Sequence, residues 1–359
     1  MNHNKKMIIV GEWCWPWYQE VCARYIRKEN WDVIEFGWNN YFRKYINHGS
    51  DVKYKSIYHK IEYYFQQGPL SLYLNFKLFN TVKKEKPNVI WFYNSLLITT
   101  KTVKKIKYNF PDIKLIQYSN DDPFSTKNKK FYWRHYLSSV KLYDYHFCYR
   151  ERNINDYKKL GIHNAKLLRS YFIPEDDYYL NKTTIEEKFI CDVVFAGHYE
   201  NDGRIDILRS IVNKGFKLNL YGGGWNKILK SLKPDDPLKK YFPVYPAIGI
   251  NYRKAICGSK VSLCFHSKIN NDTYTRRNFQ LPAMQSAVLS EFSNDLKNFF
   301  IENEEILLFK SEKECLEKLE NLIKNKNFRL SLGKKSYKRV VNDGHDIASR
   351  MKEFLKNIE

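Results

Sequence analysis

Short apolar runs, each closed by a glycine or a polar turn and each followed by a helix-spaced stretch, recur along the whole chain. Met7-Ile8-Ile9-Val10 ends at Gly11, and Cys191-Asp192-Val193-Val194-Phe195-Ala196 ends at Gly197. Runs of this kind suit strands buried on both faces, as in parallel sheets covered by helices. The same spacing predicts helices over 18–29, 100–107 and 151–160, the last stopped by Gly161. It predicts strands over 31–36, 88–92, 114–118 and 143–149. Residues 39–58 read as irregular, and 169–188 is a shift to polar, acidic and aromatic residues. From Cys191 the alternation restarts: a helix over 202–213, a strand over 217–221, a helix over 252–257 and a strand over 261–265. Strand, helix, strand, helix with short connections is the mark of a doubly wound parallel sheet. The chain therefore reads as α/β, with two Rossmann-like halves in tandem. The expected boundaries are 1–170, a connection at 171–190, a second domain at 191–342 and a terminal helix at 343–359.

In open α/β sheets, ligands bind outside the carboxyl ends of the strands. In the second half those ends carry Gly197-His198, Gly222-Gly223-Gly224, His266, and the stretch Thr275 to Glu291. That stretch opens with Arg276-Arg277 before a helix start, and free helix amides with arginine beside them would favour an anion. A triple glycine lets a backbone approach a phosphate or ribose closely, although alone it is more often a flexible turn. It fits neither the dinucleotide fingerprint nor a phosphate-binding P-loop, which disfavours a dehydrogenase and a P-loop ATPase. Together the strand ends suit a nucleoside diphosphate. A lone histidine after a strand is more often structural, so His266 counts only in company.

In the first half Glu12 and the pair Asp121-Asp122 follow expected strands, and each is a candidate general base. The run Asp121-Asp122-Pro123 could equally be a turn with a capping Asp. Trp13, Trp15 and Trp17 crowd the loop after the first strand, which fits either sugar stacking or a structural cluster.

Net charge is +22, from 61 Lys and Arg against 39 Asp and Glu, which points to an anionic partner. Abundant Lys, Asn and Ile also look like a compositional bias, so much of that charge reads as ordinary surface. The basic residues are dispersed and no nucleic-acid-reading motif is present. The seven cysteines form no C-x-x-C pair, which fits a reducing compartment and argues against zinc. No apolar run reaches the length of a membrane span.

The segments VVFAGHYENDGRIDILRSI, LNLYGGGW and RRNFQLPAMQSAVLSEFSNDLKNFF, in that order, resemble the C-terminal domain of the CgeB-like, spore-maturation-protein type glycosyltransferases. These are group-1 glycosyltransferases of GT-B fold. The resemblance covers about 191–342, and more weakly Asp121-Asp122-Pro123. It implies two Rossmann-like domains facing across a cleft, with the C-terminal helices returning to the first domain. It implies a nucleotide-diphosphate sugar donor, UDP or GDP, no bound metal and no further cofactor. It assigns Arg277 to the diphosphate. Gly197, His198 and the element Gly222 to Trp225 would line the nucleotide site. Arg204, Tyr221, His266, Asn278, Phe279, Gln280 and Glu291 complete the donor-binding set. One residue departs from the family pattern: its glutamate after Phe279, expected at the ribose, is Gln280 here. The expected protein is a cytoplasmic glycosyltransferase acting on a glycan or lipid-linked acceptor, with peripheral contact to an anionic membrane and no nucleic-acid partner. A non-catalytic nucleotide-sugar-binding relative and a basic nucleic-acid-binding protein stay open beside it.

Overall fold

The apolar runs form two separate parallel sheets. The computed structural model describes residues 5–46, 51–127 and 130–359. The chain divides into two compact units: one holds residues 1–169 with 347–359, the other Ser170–Asp346.

The strands of the first unit are β1 (Lys6–Gly11), β2 (Asp32–Gly37), β3 (Arg43–Ile46), β4 (Asp51–Tyr54), β5 (Val89–Tyr93), β6 (Lys114–Ser119), β7 (Tyr145–Cys148) and β8 (Lys166–Leu167). Six of them make one parallel sheet in the order β2-β1-β5-β6-β7-β8. Every residue of β5 is buried, as a central strand of a covered sheet requires. The helices are α1 (Val21–Lys28), α2 (Ile57–Phe65), α3 (Pro69–Glu85), α4 (Thr100–Asn109), α5 (Arg134–Ser138) and α6 (Glu151–Lys159). Ser56 and Thr99 cap α2 and α4 by accepting from His59 N and Thr102 N. The stretch expected to be irregular instead folds as the antiparallel pair β3–β4. Four-residue strands carry too few alternations to announce themselves. The C-terminal helix, Ile347–Ile358, belongs to this unit. Its Phe354 stacks on Trp91 of β5 at 4.3 Å and meets Phe147 of β7 at 5.0 Å.

The second unit has β9 (Cys191–Ala196), β10 (Leu218–Tyr221), β11 (Ser259–Cys264), β12 (Ala287–Glu291) and β13 (Leu307–Phe309). All run parallel in the order β10-β9-β11-β12-β13. Its helices are α7 (Arg204–Asn213), α8 (Ile250–Gly258), α9 (Arg277–Ala283), α10 (Asn294–Phe299), α11 (Glu312–Lys324) and α12 (Lys326–Asn342). Val193, Phe195, Leu218, Val261, Leu263 and Leu289 form the centre of its core.

Both sheets reverse strand order beside their first strand. In the first unit the break falls between β1 and β5, and in the second between β9 and β11. At such a switch point the two flanking loops part, which leaves the crevice where doubly wound sheets hold ligands.

Candidate functional site

At the switch point of the second unit, the chain leaves β9 through Gly197 and His198. Gly197 N donates to Tyr221 O at 2.9 Å and Tyr199 N to Gly223 O at 3.0 Å, so the turns after β9 and β10 stay paired beyond the strands. That pairing leaves no room for side chains. A Cβ on Gly222, whose φ is +143°, would lie 1.9 Å from Gly197 O. A Cβ on Gly197 would lie 1.9 Å from Nη1 of Arg277. The glycines thus bring backbone and guanidinium into direct contact.

Arg277, the first residue of α9, is half-buried. Its Nη1 donates to Ala196 O at 2.8 Å and its Nη2 to Phe265 O at 3.3 Å. Two strand-end carbonyls therefore fix the cation at the switch point. The other N–H donors of its guanidinium have no protein partner among the described residues, and they are free for an anion. His198 is exposed, with its ring against Gly223. Partial desolvation of the ring first, and the Arg277 cation second, lower the pKa of its imidazole.

His266 is buried, and its Nε2 has no hydrogen-bond partner among the described residues. Burial, then the cations Lys268, Arg277 and Arg204, push its pKa down to about 3. It is a neutral imidazole with one ring nitrogen unsatisfied. Its backbone N donates to Glu291 Oε2 at 2.7 Å, while Glu291 Oε1 holds Lys268 Nζ at 2.7 Å. Glu291 therefore fixes the end of β11 to the end of β12. Beside it, a depression of about 500 Å³ is lined by Arg204, Phe265, Lys268, Glu291 and Lys310 among others.

Several expected ligand contacts are instead internal supports. Arg204 is buried and bound in fork fashion to Asp202, at 2.8 and 2.6 Å. It also donates to His198 O at 2.6 Å and His266 O at 3.2 Å. Its guanidinium staples the loop after β9 to the end of β11. Trp225 is fully buried, with Nε1 on Gly197 O at 2.9 Å. Asn278, also fully buried, joins Thr275 N at 2.8 Å to Ser290 Oγ at 3.2 Å. Phe279 is stacked on His345 at 4.5 Å. Tyr221 and Gly224 complete the rim, with Gly224 in the left-handed region. In the helix-amide anion site expected at α9, three amides are already engaged. The N–H groups of Asn278, Phe279 and Gln280 donate to the carbonyls of Thr275 and Arg276.

Gln280 also has a partner inside the unit. Its Nε2 donates to Asp177 Oδ1 at 2.8 Å. Asp177 Oδ2 in turn accepts from Arg276 Nη2 at 3.1 Å and from Ile173 N at 2.8 Å. Burial raises the pKa of Asp177, against the pull of Arg276. Asp177 lies in the stretch read as a connection, where nothing in the sequence marks it as special. The amide at 280 is the complement of that buried carboxylate.

In the first unit, Glu12 follows β1 at the switch point and is largely buried. Burial raises its pKa, Arg43 opposes the rise, and Asp121 adds to it. Arg43 lies 3.5 Å away, and its Nη2 also reaches Tyr63 Oη at 2.8 Å. Tyr63 in turn bonds Tyr132 at 2.5 Å. Arg43 sits on β3, inside the stretch read as irregular, and so gave no signal. Asp122 is fully buried and accepts from Phe124 N at 3.0 Å and Asn153 Nδ2 at 2.9 Å. It is a turn cap and no candidate base. Glu12 and Asp121 are the carboxylates brought together. Trp15 and Trp17 stack on each other at 5.0 Å, both half-buried.

Residues 204–356 match the model of a family described as glycosyl transferase-like. Solved structures match along the whole chain. Sucrose-phosphate synthase from Thermosynechococcus elongatus aligns with a TM-score of 0.71 at 11% identity, covering 99% of each chain. HepE of Anabaena, in complex with UDP and glucose, aligns with a TM-score of 0.69 at 10% identity, again over 99% of each. A putative UDP-N-acetylglucosamine 2-epimerase from Listeria monocytogenes aligns at 0.56 and 10%, covering 99% of this chain and 96% of that one. No curated protein sequence matches. The chain has the GT-B fold, and its C-terminal segment is similar to the family described as glycosyl transferase-like.

Proposed function

We propose that this protein is a glycosyltransferase that moves a sugar from a nucleotide diphosphate to a glycan or lipid-linked acceptor. The observation that carries the reading is Arg277, held by two strand-end carbonyls against Gly197 with further donors free. A fixed cation there would hold the donor diphosphate and offset the charge that grows on it as the sugar leaves. UDP or GDP is the donor nucleotide we propose, and the UDP and glucose in the HepE complex support the former by fold analogy. In the transfer, an acceptor hydroxyl oxygen bonds the anomeric carbon and the bond to the diphosphate oxygen breaks. The hydroxyl proton goes to a carboxylate, for which Glu12 is our choice. We assign the protein to the CgeB-like subgroup and to the cytoplasm, working without a resident metal. Among the described residues no helix is long and apolar enough to cross a membrane.

The test is a transfer assay with UDP-, GDP- and dTDP-sugars against lipid-extract and oligosaccharide acceptors, with and without a chelator. Transfer from one donor, unchanged by the chelator and reduced at least about a hundredfold in Glu12→Gln, supports the reading. Nucleotide binding without transfer or donor hydrolysis on any acceptor would favour a binding protein of the same fold.

A further inference from the structure

On most surface helices the apolar side faces in and the polar side faces out. Helix α2 also turns apolar side chains outward. Ile57, Tyr58, Ile61, Tyr64 and Phe65 are 60, 79, 49, 48 and 51% exposed. Their spacing of i, i+1, i+4, i+7 and i+8 places all five on one stripe about a third of the helix wide. The inward side is held by other residues: Tyr63 and Gln66 are the buried ones. Phe131 extends the stripe, with its exposed ring 6.3 Å from Tyr64 and 6.2 Å from Phe65. Arg134 lies over Phe131 at 3.9 Å. The next helix, α3, repeats the pattern with Leu72, Tyr73 and Phe76, which are 72, 52 and 62% exposed.

Exposed aromatic and aliphatic side chains grouped this way mark a surface that something covers. The charge around them selects what covers it. Lys53, Lys55, Lys60 and Lys77 are all exposed on or beside α2 and α3, against a single acidic residue between Lys53 and Lys77, Glu62. Glu62 is itself occupied, accepting from Ser71 N. The chain as a whole carries +22, so a second copy of this surface would be repelled. Tyrosines with an apolar body and a polar tip, beside lysines that can reach outward, suit the boundary between acyl chains and headgroups.

We infer that the outer face of α2, with Phe131 and the outer residues of α3, is the surface through which this protein sits on an anionic lipid bilayer. The aromatic and isoleucine side chains enter the headgroup boundary, and the surrounding lysines meet the anionic phosphates. The inference does not depend on the transfer reading, because binding to lipid is measured without a sugar donor.

The experiment is co-sedimentation of the full chain with vesicles of phosphatidylcholine alone or mixed with phosphatidylglycerol, at low and high salt. The variant is Ile57→Gln with Ile61→Gln and Phe65→Gln, all on the exposed stripe, its thermal midpoint compared with the parent. We expect binding to the mixed vesicles, weaker binding at high salt, and a loss of about a hundredfold or more in the triple variant with its midpoint unchanged. A charge variant, Lys53→Glu with Lys60→Glu, is expected to lose the preference for phosphatidylglycerol. Equal binding by parent and triple variant, or no binding to either vesicle, overturns the inference. So does a self-associated chain that the triple substitution turns monomeric while vesicle binding stays absent.

Discussion

Gln280 departs from the glutamate that the resemblance implies at this position, and its amide is paired with the buried carboxylate of Asp177. A glutamate at 280 would set a second carboxylate about 3 Å from that of Asp177, which is buried and already raised in pKa by desolvation. An amide can donate where a carboxylate would repel. Gln280→Glu is therefore expected to lower stability by about 1–3 kcal/mol near neutral pH. The sign follows from proton binding: the folded variant would keep a proton that the unfolded chain releases, so the deficit grows as pH rises above the ordinary carboxylate range. Urea midpoints of parent and variant at pH 4 and pH 7 measure this, and equal midpoints at both would refute the pairing. His266 carries the opposite sign. With its pKa near 3, the folded chain binds fewer protons than the unfolded chain between about 3 and 6.5, so stability falls as pH drops through that window. Neither effect could be read from the sequence. Asp177 is about a hundred residues from Gln280, and only the folded unit shows that they meet.

The elements were more legible than their partners. β9 is bounded by the same residues, Cys191 and Ala196, that the apolar run marks, because its middle residues Val193, Val194 and Phe195 are buried as a covered parallel strand requires. The central strands β1, β5 and β6 and the helices α4, α6 and α7 fall within a few residues of their expected spans. The hairpin β3–β4 did not, being short and rich in lysine and tyrosine. It carries Arg43, and with Arg43 the environment of Glu12 was hidden as well. Expectation also failed at α9, where an amide-lined anion site was expected. Its first turn closes on Thr275 and Arg276, so the amides of Asn278, Phe279 and Gln280 are already bonded. The terminal helix offers a test at this scale. Phe354 is fully buried between Trp91 and Phe147, so Phe354→Ala should destabilise the first unit by about 3–5 kcal/mol. Calorimetric unfolding would show it, and an unchanged transition would mean that the helix is not part of that unit's core.

At the scale of the whole molecule, two doubly wound sheets each hold charged residues at the switch point where strand order reverses. The second unit brings Arg277, His198 and His266 to that point, with Arg204, Trp225 and Glu291 bracing the loops behind them. The first unit brings Glu12, Arg43 and Asp121. The alignments over nearly the whole chain agree with a fold of two such units. The central claim is that the cation fixed on the carbonyls of Ala196 and Phe265 holds a nucleoside diphosphate. Calorimetric titration of UDP and GDP into the parent and into Arg277→Ala tests it most directly. One nucleotide is expected to bind the parent with micromolar to submillimolar affinity, and the variant, still folded, to lose at least about tenfold. Equal affinity in the two proteins would contradict it.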